Sequence, residues 1–216
     1  MIKKVSPSQS DFSRALYELT NKNTPKVIIE CGANDGLHRS IGLFFEKKKG
    51  WDVINVEPNK ECFEALTKNR PESNNCNYAL SDETSIRTMT VPLSQQRGFM
   101  GGNGSIHQPR MRELVGSGNT TVHYPVRCIT YGELLKHCNI ESVGILVLDV
   151  EGHEISVLRG MTGLSTNTPE IIAIEYKGDN RDVLTDALAK VGDYTLARMF
   201  TRHDLVYVKK EQDDNK

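Results

Sequence analysis

The stretch VIIECGANDGLHRS, residues 27–40, decides the fold. Its opening VIIEC is apolar and β-branched on successive residues, which suits a strand covered on both faces, as in a parallel sheet. Gly32 and Gly36 follow at once. Beyond them Leu37, Ile41, Phe44 and Phe45 recur at helical spacing. A strand, a glycine turn and a helix make the first unit of an α/β sheet. Glycines at that switch let another group approach the backbone where a Cβ would block it. The pattern is not G-x-G-x-x-G, and it lacks the GK[ST] of a phosphate loop. A short G-x-x-x-G alone is equally consistent with a packing turn.

Working outward, VINVE (53–57), ILVLDV (145–150) and IIAIEY (171–176) repeat the buried-strand pattern. Each of the four runs carries an acid at or near its end: Glu30, Glu57, Asp149 and Glu175. Acids at the carboxyl ends of parallel strands line the edge where such sheets bind ligands. Helical patterns fill the gaps. Cys62, Phe63 and Leu66 follow Pro58, a residue suited to a first helical turn. Thr130 with Glu133 resembles a capping box. Val183, Leu184, Ala187, Leu188 and Val191 form one apolar face stopped by Gly192. YTLAR (194–198) and DLVYV (204–208) read as a closing antiparallel pair. Strands alternating with helices predict a doubly wound α/β sheet in one domain over residues 1–216, with a short helical lead-in and a flexible tail at about 210–216.

Residues 85–127 break the alternation. IRTMTV and VHYPVR are candidate strands around the glycine-rich RGFMGGNGSIHQPRMRELVGSGN. A long irregular insertion in a compact domain is functional or disordered, so a loop or hairpin region serving as a lid or for substrate binding is expected. Asn103, Ser105, His107 and Arg110, framed by Gly101, Gly102 and Gly104, are its candidate acceptor-binding groups. Tyr176 and Lys177 are candidates for the border of the same pocket. Trp51, just before the second strand, is expected in the core.

With 27 basic and 28 acidic residues among 216, the net charge of −1 gives no general attraction to nucleic acid or an anionic membrane. No run approaches the roughly 20 apolar residues of a membrane span. The five cysteines are odd in number and form no CxxC, which argues against a zinc site or a disulfide framework. The start has no apolar signal region, so a soluble, intracellular (cytoplasmic) protein is expected.

Glu57 lies some 20 residues past the glycine loop, where a carboxylate accepts hydrogen bonds from ribose hydroxyls. Loop and acid together leave NAD and S-adenosylmethionine both open. Four ordered stretches then point one way: ECGANDG (30–36), EPN (57–59), NYALSD (77–82) and LDVEGHE (148–154). The first resembles the D-x-G-A-N-x-G loop of the FkbM family of methyltransferases, with Glu30 in the acid position. The last resembles that family's D-x-E-G-x-E signature. The resemblance covers residues 25–176. It implies a Rossmann-like methyltransferase fold with a mostly parallel seven-stranded sheet, S-adenosylmethionine as cofactor, and transfer to an oxygen. By the same resemblance Glu30, Gly32, Ala33 and Gly36 hold the amino-acid end of the donor, with Asn34 and Asp35 nearby. Glu57, beside Pro58, takes the ribose, Ser81 and Asp82 sit near the adenine, and Asp149 borders the donor.

A hydroxyl is a poor nucleophile until its proton leaves, either to a positioned base or after binding a divalent cation. Asp149, Glu151, His153 and Glu175 are the catalytic candidates. Asp149 and Glu175, on neighbouring strand ends, are candidate oxygen ligands for Mg2+ or Mn2+. The expected acceptor is a sugar or glycan hydroxyl. A small secondary metabolite is the alternative, as is a non-catalytic module that binds the cofactor and a protein partner. Near-zero charge disfavours a nucleic-acid acceptor, and the missing G-x-G-x-x-G disfavours a dehydrogenase. Monomer and homodimer both remain open.

Overall fold

Strand β1 (Val27–Cys31) lies beside the middle of a seven-stranded sheet whose order is β3-β2-β1-β7-β8-β10-β9. The computed structural model describes residues 9–93, 104–118, 120–164, 167–178 and 181–210. Helix α1 (Gln9–Glu18) precedes β1. Then come α2 (Gly42–Phe44), running into a π-helical turn at Phe45–Lys49, β2 (Asp52–Val56), α3 (Lys60–Asn69), β3 (Asn74–Cys76), β4 (Ala79–Leu80) and β5 (Ser85–Pro92). The second half holds α4 (Gln108–Gly116), β6 (Thr121–Ile129), α5 (Tyr131–Cys138), β7 (Ile145–Leu148), α6 (Glu154–Arg159), β8 (Ile171–Glu175), α7 (Arg181–Val191), β9 (Tyr194–Met199) and β10 (Asp204–Lys209). Strands β3, β2, β1, β7 and β8 run parallel, and β10 pairs antiparallel with both β8 and β9.

The continuous apolar runs are explained by burial on both faces. Ile28, Val53, Ile145, Val147, Ile171 and Ala173 pack on one side with Leu16, Ile41, Phe45 and Trp51. Their neighbours Ile29, Ile54, Leu146, Leu148, Ile172 and Ile174 face the other side, against Tyr131, Leu134, Val157, Leu184 and Leu188. Successive strand residues alternate faces, so both faces stay apolar only if every residue is apolar. The chain steps from β1 outward to β2 and β3, then returns to β7 on β1's other side. That reversal opens a crevice at the carboxyl ends of β1 and β7.

The 85–127 segment is more regular than its glycines suggest. β5 and β6 pair antiparallel from Ser85↔Cys128 to Pro92↔Thr121, and β4 joins β6 in parallel. This small sheet has its own core of Ala79, Met89, Val91, Ile106, Val126 and Cys128. The expected loop also contains α4. Proline in its first turn presets the backbone, Arg110 pairs with Glu113 at 2.8 Å, and Leu114 is buried. Gly101, Gly102, Asn103 and the tail beyond residue 210 lie outside the described residues.

Two helix starts shift from where periodicity puts them. Asp35 Oδ1 accepts hydrogen bonds from the backbone N–H groups of Leu37 (2.9 Å) and His38 (2.7 Å). Leu37 is therefore an exposed turn residue, and helix begins only at Gly42. Pro58 precedes α3 instead of opening it. Asn59 is the cap, accepting from Glu61 N at 3.0 Å and Cys62 N at 3.4 Å. Thr130 and Glu133 form the expected capping box on α5, and the cysteines among the described residues are free thiols. No helix among the described residues is long and apolar enough to cross a membrane.

Candidate active site

The crevice between β1 and β7 opens into a cleft. Its floor is Cys31 and Gly32 at the end of β1. One wall is Val56, Glu57, Pro58 and Asn59, from the end of β2. The facing wall is Asp149, Val150, Glu151 and His153, following β7. The small sheet and the insertion close the cavity with Tyr78, Ala79, Leu80, Met89, Gly104 and Ile106. A largely apolar cleft with a few converging polar groups is the usual form of a small-molecule site.

Gly32 sits at φ 86°, and its N–H donates to Val56 O at 2.9 Å. A Cβ there would lie 2.0 Å from the Asp149 carbonyl oxygen. Glu57 is buried, its carboxylate held by the N–H groups of Asn34 and Asn59, both at 2.8 Å. Burial pushes its carboxyl up to about 7 despite those two bonds. Asn77 Nδ2 donates to Glu57 O at 2.8 Å, fixing the backbone behind the carboxylate.

The rest of the glycine loop is used to hold its own shape. Glu30 projects to the opposite face of β1, where it accepts from Ser40 Oγ (2.7 Å), Ile41 N (2.6 Å) and Gly42 N (3.1 Å). In place of the donor contact that the resemblance implies, it caps the start of α2, and burial raises its pKa. The reason is strand parity: Cys31 faces the cleft, so its neighbour Glu30 cannot. Ala33 is buried, and Asn34 takes φ 50° with its N–H on Glu57. Asp35 caps the turn, and the Gly36 carbonyl accepts from buried Arg70 at 3.2 Å. None of these five lines the cavity.

Ser81 and Asp82 also stand outside the cavity lining. Ser81 is fully buried and lies 2.9 Å from His153 Nε2, and its hydroxyl donates to Asp82 Oδ1 at 2.8 Å. Arg87 holds the same Asp82 oxygen at 2.7 Å. His153 is 3% exposed, and burial with Arg87 nearby drops its pKa to about 4, so the ring is neutral at physiological pH.

Asp149, Glu151 and Glu175 bring carboxylate oxygens within 4.8 Å of one another. Asp149 is accessible, but to the cleft. Its walls, with Glu175 and Glu151 alongside, raise the Asp149 pKa, while Glu175 is held down by Asp149 and Lys177 against its own burial. Lys177 Nζ stands 3.0 Å from Glu175 and 3.4 Å from Glu151. Glu151 itself is at φ 50°, in a turn pinned by Ser105 Oγ, which donates to its carbonyl at 2.8 Å. Ser105 is thus a fastener for the insertion. Arg110 reaches Glu151 at 3.7 Å, and the His107 ring lies 6.4 Å from that of His153. Tyr176 packs against the core and does not line the cavity.

The chain matches the model of the methyltransferase FkbM domain over residues 30–199. It belongs to the FkbM methyltransferase family. Hexuronic acid methyltransferase AglP of Haloferax volcanii is 23% identical over 206 residues, which are 95% of this chain and 78% of that protein. The crystal structure of methyltransferase FkbM from Methylobacillus flagellatus is 16% identical, with a TM-score of 0.51, and covers 88% of this chain. This FkbM domain spans 45% of that chain's length. The N-terminal domain of human METTL16, solved in complex with SAH, is 11% identical with a TM-score of 0.45, over 96% of this chain and 73% of that one. The fold is therefore the Rossmann-like fold of methyltransferases, as the motifs imply.

Sequence reasoning did not single out Tyr78, Met89, Asn59 or Arg87 for this FkbM site. Tyr78 lies inside the quoted NYALSD, so a signal existed. Met89 and Arg87 reach the site from a second sheet, which strand-end acids do not reveal.

The buried carboxyls make the FkbM domain's stability depend on pH. Glu57 and Glu154 both titrate at about 7 when folded, above their ordinary 4.5, because burial disfavours the charge. Their contribution is complete below pH 4.5 and is lost as pH rises through 7. His153, lowered to about 4, acts oppositely but only below its ordinary 6.5. Between pH 6.5 and 8 the raised acids outweigh the remaining histidine titration, so the unliganded protein is expected to lose on the order of 1 kcal/mol for each of Glu57 and Glu154, with Asp149, raised to about 8, acting in the same direction. Denaturant unfolding at the two pH values checks this, and equal midpoints would contradict it.

Proposed function

We propose that this chain is an S-adenosylmethionine-dependent O-methyltransferase acting on a sugar hydroxyl. The observation that carries the reading is the placing of Gly32 and Glu57 in one cleft: a glycine turn at its floor and a buried carboxylate bordering it. These residues fit the donor. Gly32 lets the β1 turn close against the Asp149 backbone at the cleft floor, Glu57 keeps acceptor lone pairs for ribose hydroxyls, and Pro58, Tyr78 and Leu80 supply apolar surface for a base. When bound, the donor supplies a methyl group on a sulfonium. The protein's part is to bind, to exclude water with Met89 and Ile106, and to remove the acceptor's proton.

The sugar class is supported by the hexuronic acid methyltransferase relative. The donor set at Asp149 and Glu175 does not fit a resident Mg2+ or Mn2+. The Lys177 ammonium, 3.0 Å from Glu175 and 3.4 Å from Glu151, already stands as the cation beside these acids. Chelation of divalent ions is therefore expected to leave activity unchanged.

Calorimetric titration with S-adenosylhomocysteine, with NAD as control, tests the reading. Micromolar binding of the first and none of the second is expected, and no binding of S-adenosylhomocysteine would remove the proposal. Glu57→Gln keeps the size but loses the charge-assisted bonds, about 1.5–3 kcal/mol. S-adenosylhomocysteine affinity should fall roughly 10- to 100-fold, by the same titration. Labelled methyl transfer to methyl glucuronide then tests the acceptor class.

A further inference from the structure

We infer that His153, Ser81 and Asp82 form a proton path leading from the cleft to solvent, with His153 Nδ1 as its inner end. The inference rests on the methyltransferase reading and adds to it the fate of the acceptor's proton.

The hydrogen bonds dictate the tautomer. Ser81 Oγ has one proton, and it points to Asp82 Oδ1 at 2.8 Å. Asp82 is ionised: burial works against the charge, but the bonds from Ser81 and its own backbone, with Arg87 beside it, outweigh this and hold its pKa low. The Ser81 oxygen therefore offers only a lone pair to His153 Nε2, 2.9 Å away, and Nε2 must carry the ring proton. Nδ1 is then a bare acceptor. It is buried without a hydrogen-bond partner, in a ring that lines the cleft. An acceptor left unpaired in a 3% exposed side chain costs stability unless a ligand group meets it. The charged or titratable groups acting on the ring are Arg87, Asp82 and His107.

The proton count closes. As a hydroxyl oxygen takes a methyl group, an oxygen lone pair forms the new O–C bond and the C–S pair stays on sulfur. The O–H pair remains on oxygen, and the proton passes to Nδ1. The ring then carries two protons in a buried place that disfavours charge. Nε2 gives its proton to Ser81 Oγ as Ser81 gives its own to Asp82. The Asp82 side chain is 37% exposed, so the proton reaches water there. After product leaves, Nδ1 gives its proton to water in the cleft and Nε2 regains one from water through Asp82 and Ser81, which restores the resting ring with one proton released per turnover. Ser81 and Asp82 thus act through His153 and are positioning residues.

Nitrogen-15 NMR of histidine-labelled, unliganded protein tests the path without turnover. Wild type near neutral pH should show His153 as the Nε2–H tautomer alone, and Ser81→Ala should give a mixture of both tautomers. A major Nδ1–H form in wild type would overturn the path. Ser81→Ala and Asp82→Asn should also slow methyl transfer to methyl glucuronide by ~10-fold or more, with S-adenosylhomocysteine affinity unchanged. Wild-type rates in both variants would overturn the relay even with the expected tautomer. Failure of wild type to bind S-adenosylhomocysteine would instead sink the functional reading, and the NMR result alone would then decide the hydrogen-bond path.

Discussion

Gly32→Ala is expected to destroy the donor pocket and to destabilise the whole domain. Two costs fall on one methyl group. The φ of 86° is left-handed, costing an L-residue roughly 1–2 kcal/mol. The new Cβ would also sit 2.0 Å from the Asp149 carbonyl oxygen, an atom of the backbone that no rotamer change can move aside. Overpacking of this kind costs roughly 1–3 kcal/mol. The Asp149 backbone belongs to the wall that faces Glu57, so relief of the clash spreads the cleft. Gly50→Ala separates the two costs. It has φ 65° with nothing within 4 Å of the added atom, so it should show the backbone cost alone. Urea unfolding of both variants, with S-adenosylhomocysteine titration, makes the comparison. Equal destabilisation would show that the loop yields at Asp149 without cost.

Arg70→Ala is expected to cost about 3–5 kcal/mol, the range for breaking a buried ion pair from one side. That is a large part of the roughly 5–15 kcal/mol of a whole domain. The Arg70 side chain is 1% exposed, and its Nε lies 2.6 Å from Glu46 Oε2, itself on a side chain only 17% exposed. Nη1 donates to Gly36 O at 3.2 Å and to Ser40 Oγ at 3.3 Å. Ser40 in turn donates to Glu30. The guanidinium therefore ties α3 to the glycine loop and to the acid capping α2. Alanine leaves Glu46 with only Lys47 at 3.4 Å and the Ser73 hydroxyl at 3.1 Å, and opens a void behind the loop. Glu46→Leu combined with Arg70→Met removes both charges and should recover much of the loss. Denaturant unfolding reads both. A double variant as unstable as the single would place the cost in packing instead of charge.

These two residues mark what the sequence conveys and what it does not. Gly32 was legible: a glycine directly after a buried strand announces a close backbone approach. Arg70 was not, because a lone arginine near the end of an amphipathic helix reads as solvated surface. Only the folding of the 30–46 segment over α3 buries it. Glu30 shows the converse. Its motif position suggests a ligand contact, yet strand parity turns it away from the cleft.

By itself the sequence determined the alternation of strands and helices, the two-sided burial of the central sheet, the family, and the strand-end carboxylates Glu57, Asp149 and Glu175 around one edge. These follow from local composition, because periodicity and glycine placement act within a few residues of themselves. Tertiary structure alone decided the rest. Strands β5 and β6 were within reach of the sequence, but the sheet they complete with β4, and helix α4 beside it, arise only where residues 79–129 meet. The Lys177 ammonium comes to rest between two acids, and Ser81 with Asp82 sits behind His153. Each of these joins residues from separate elements. Which donor faces which acceptor across that distance depends on how the layers pack, and packing is a property of the folded chain as a whole.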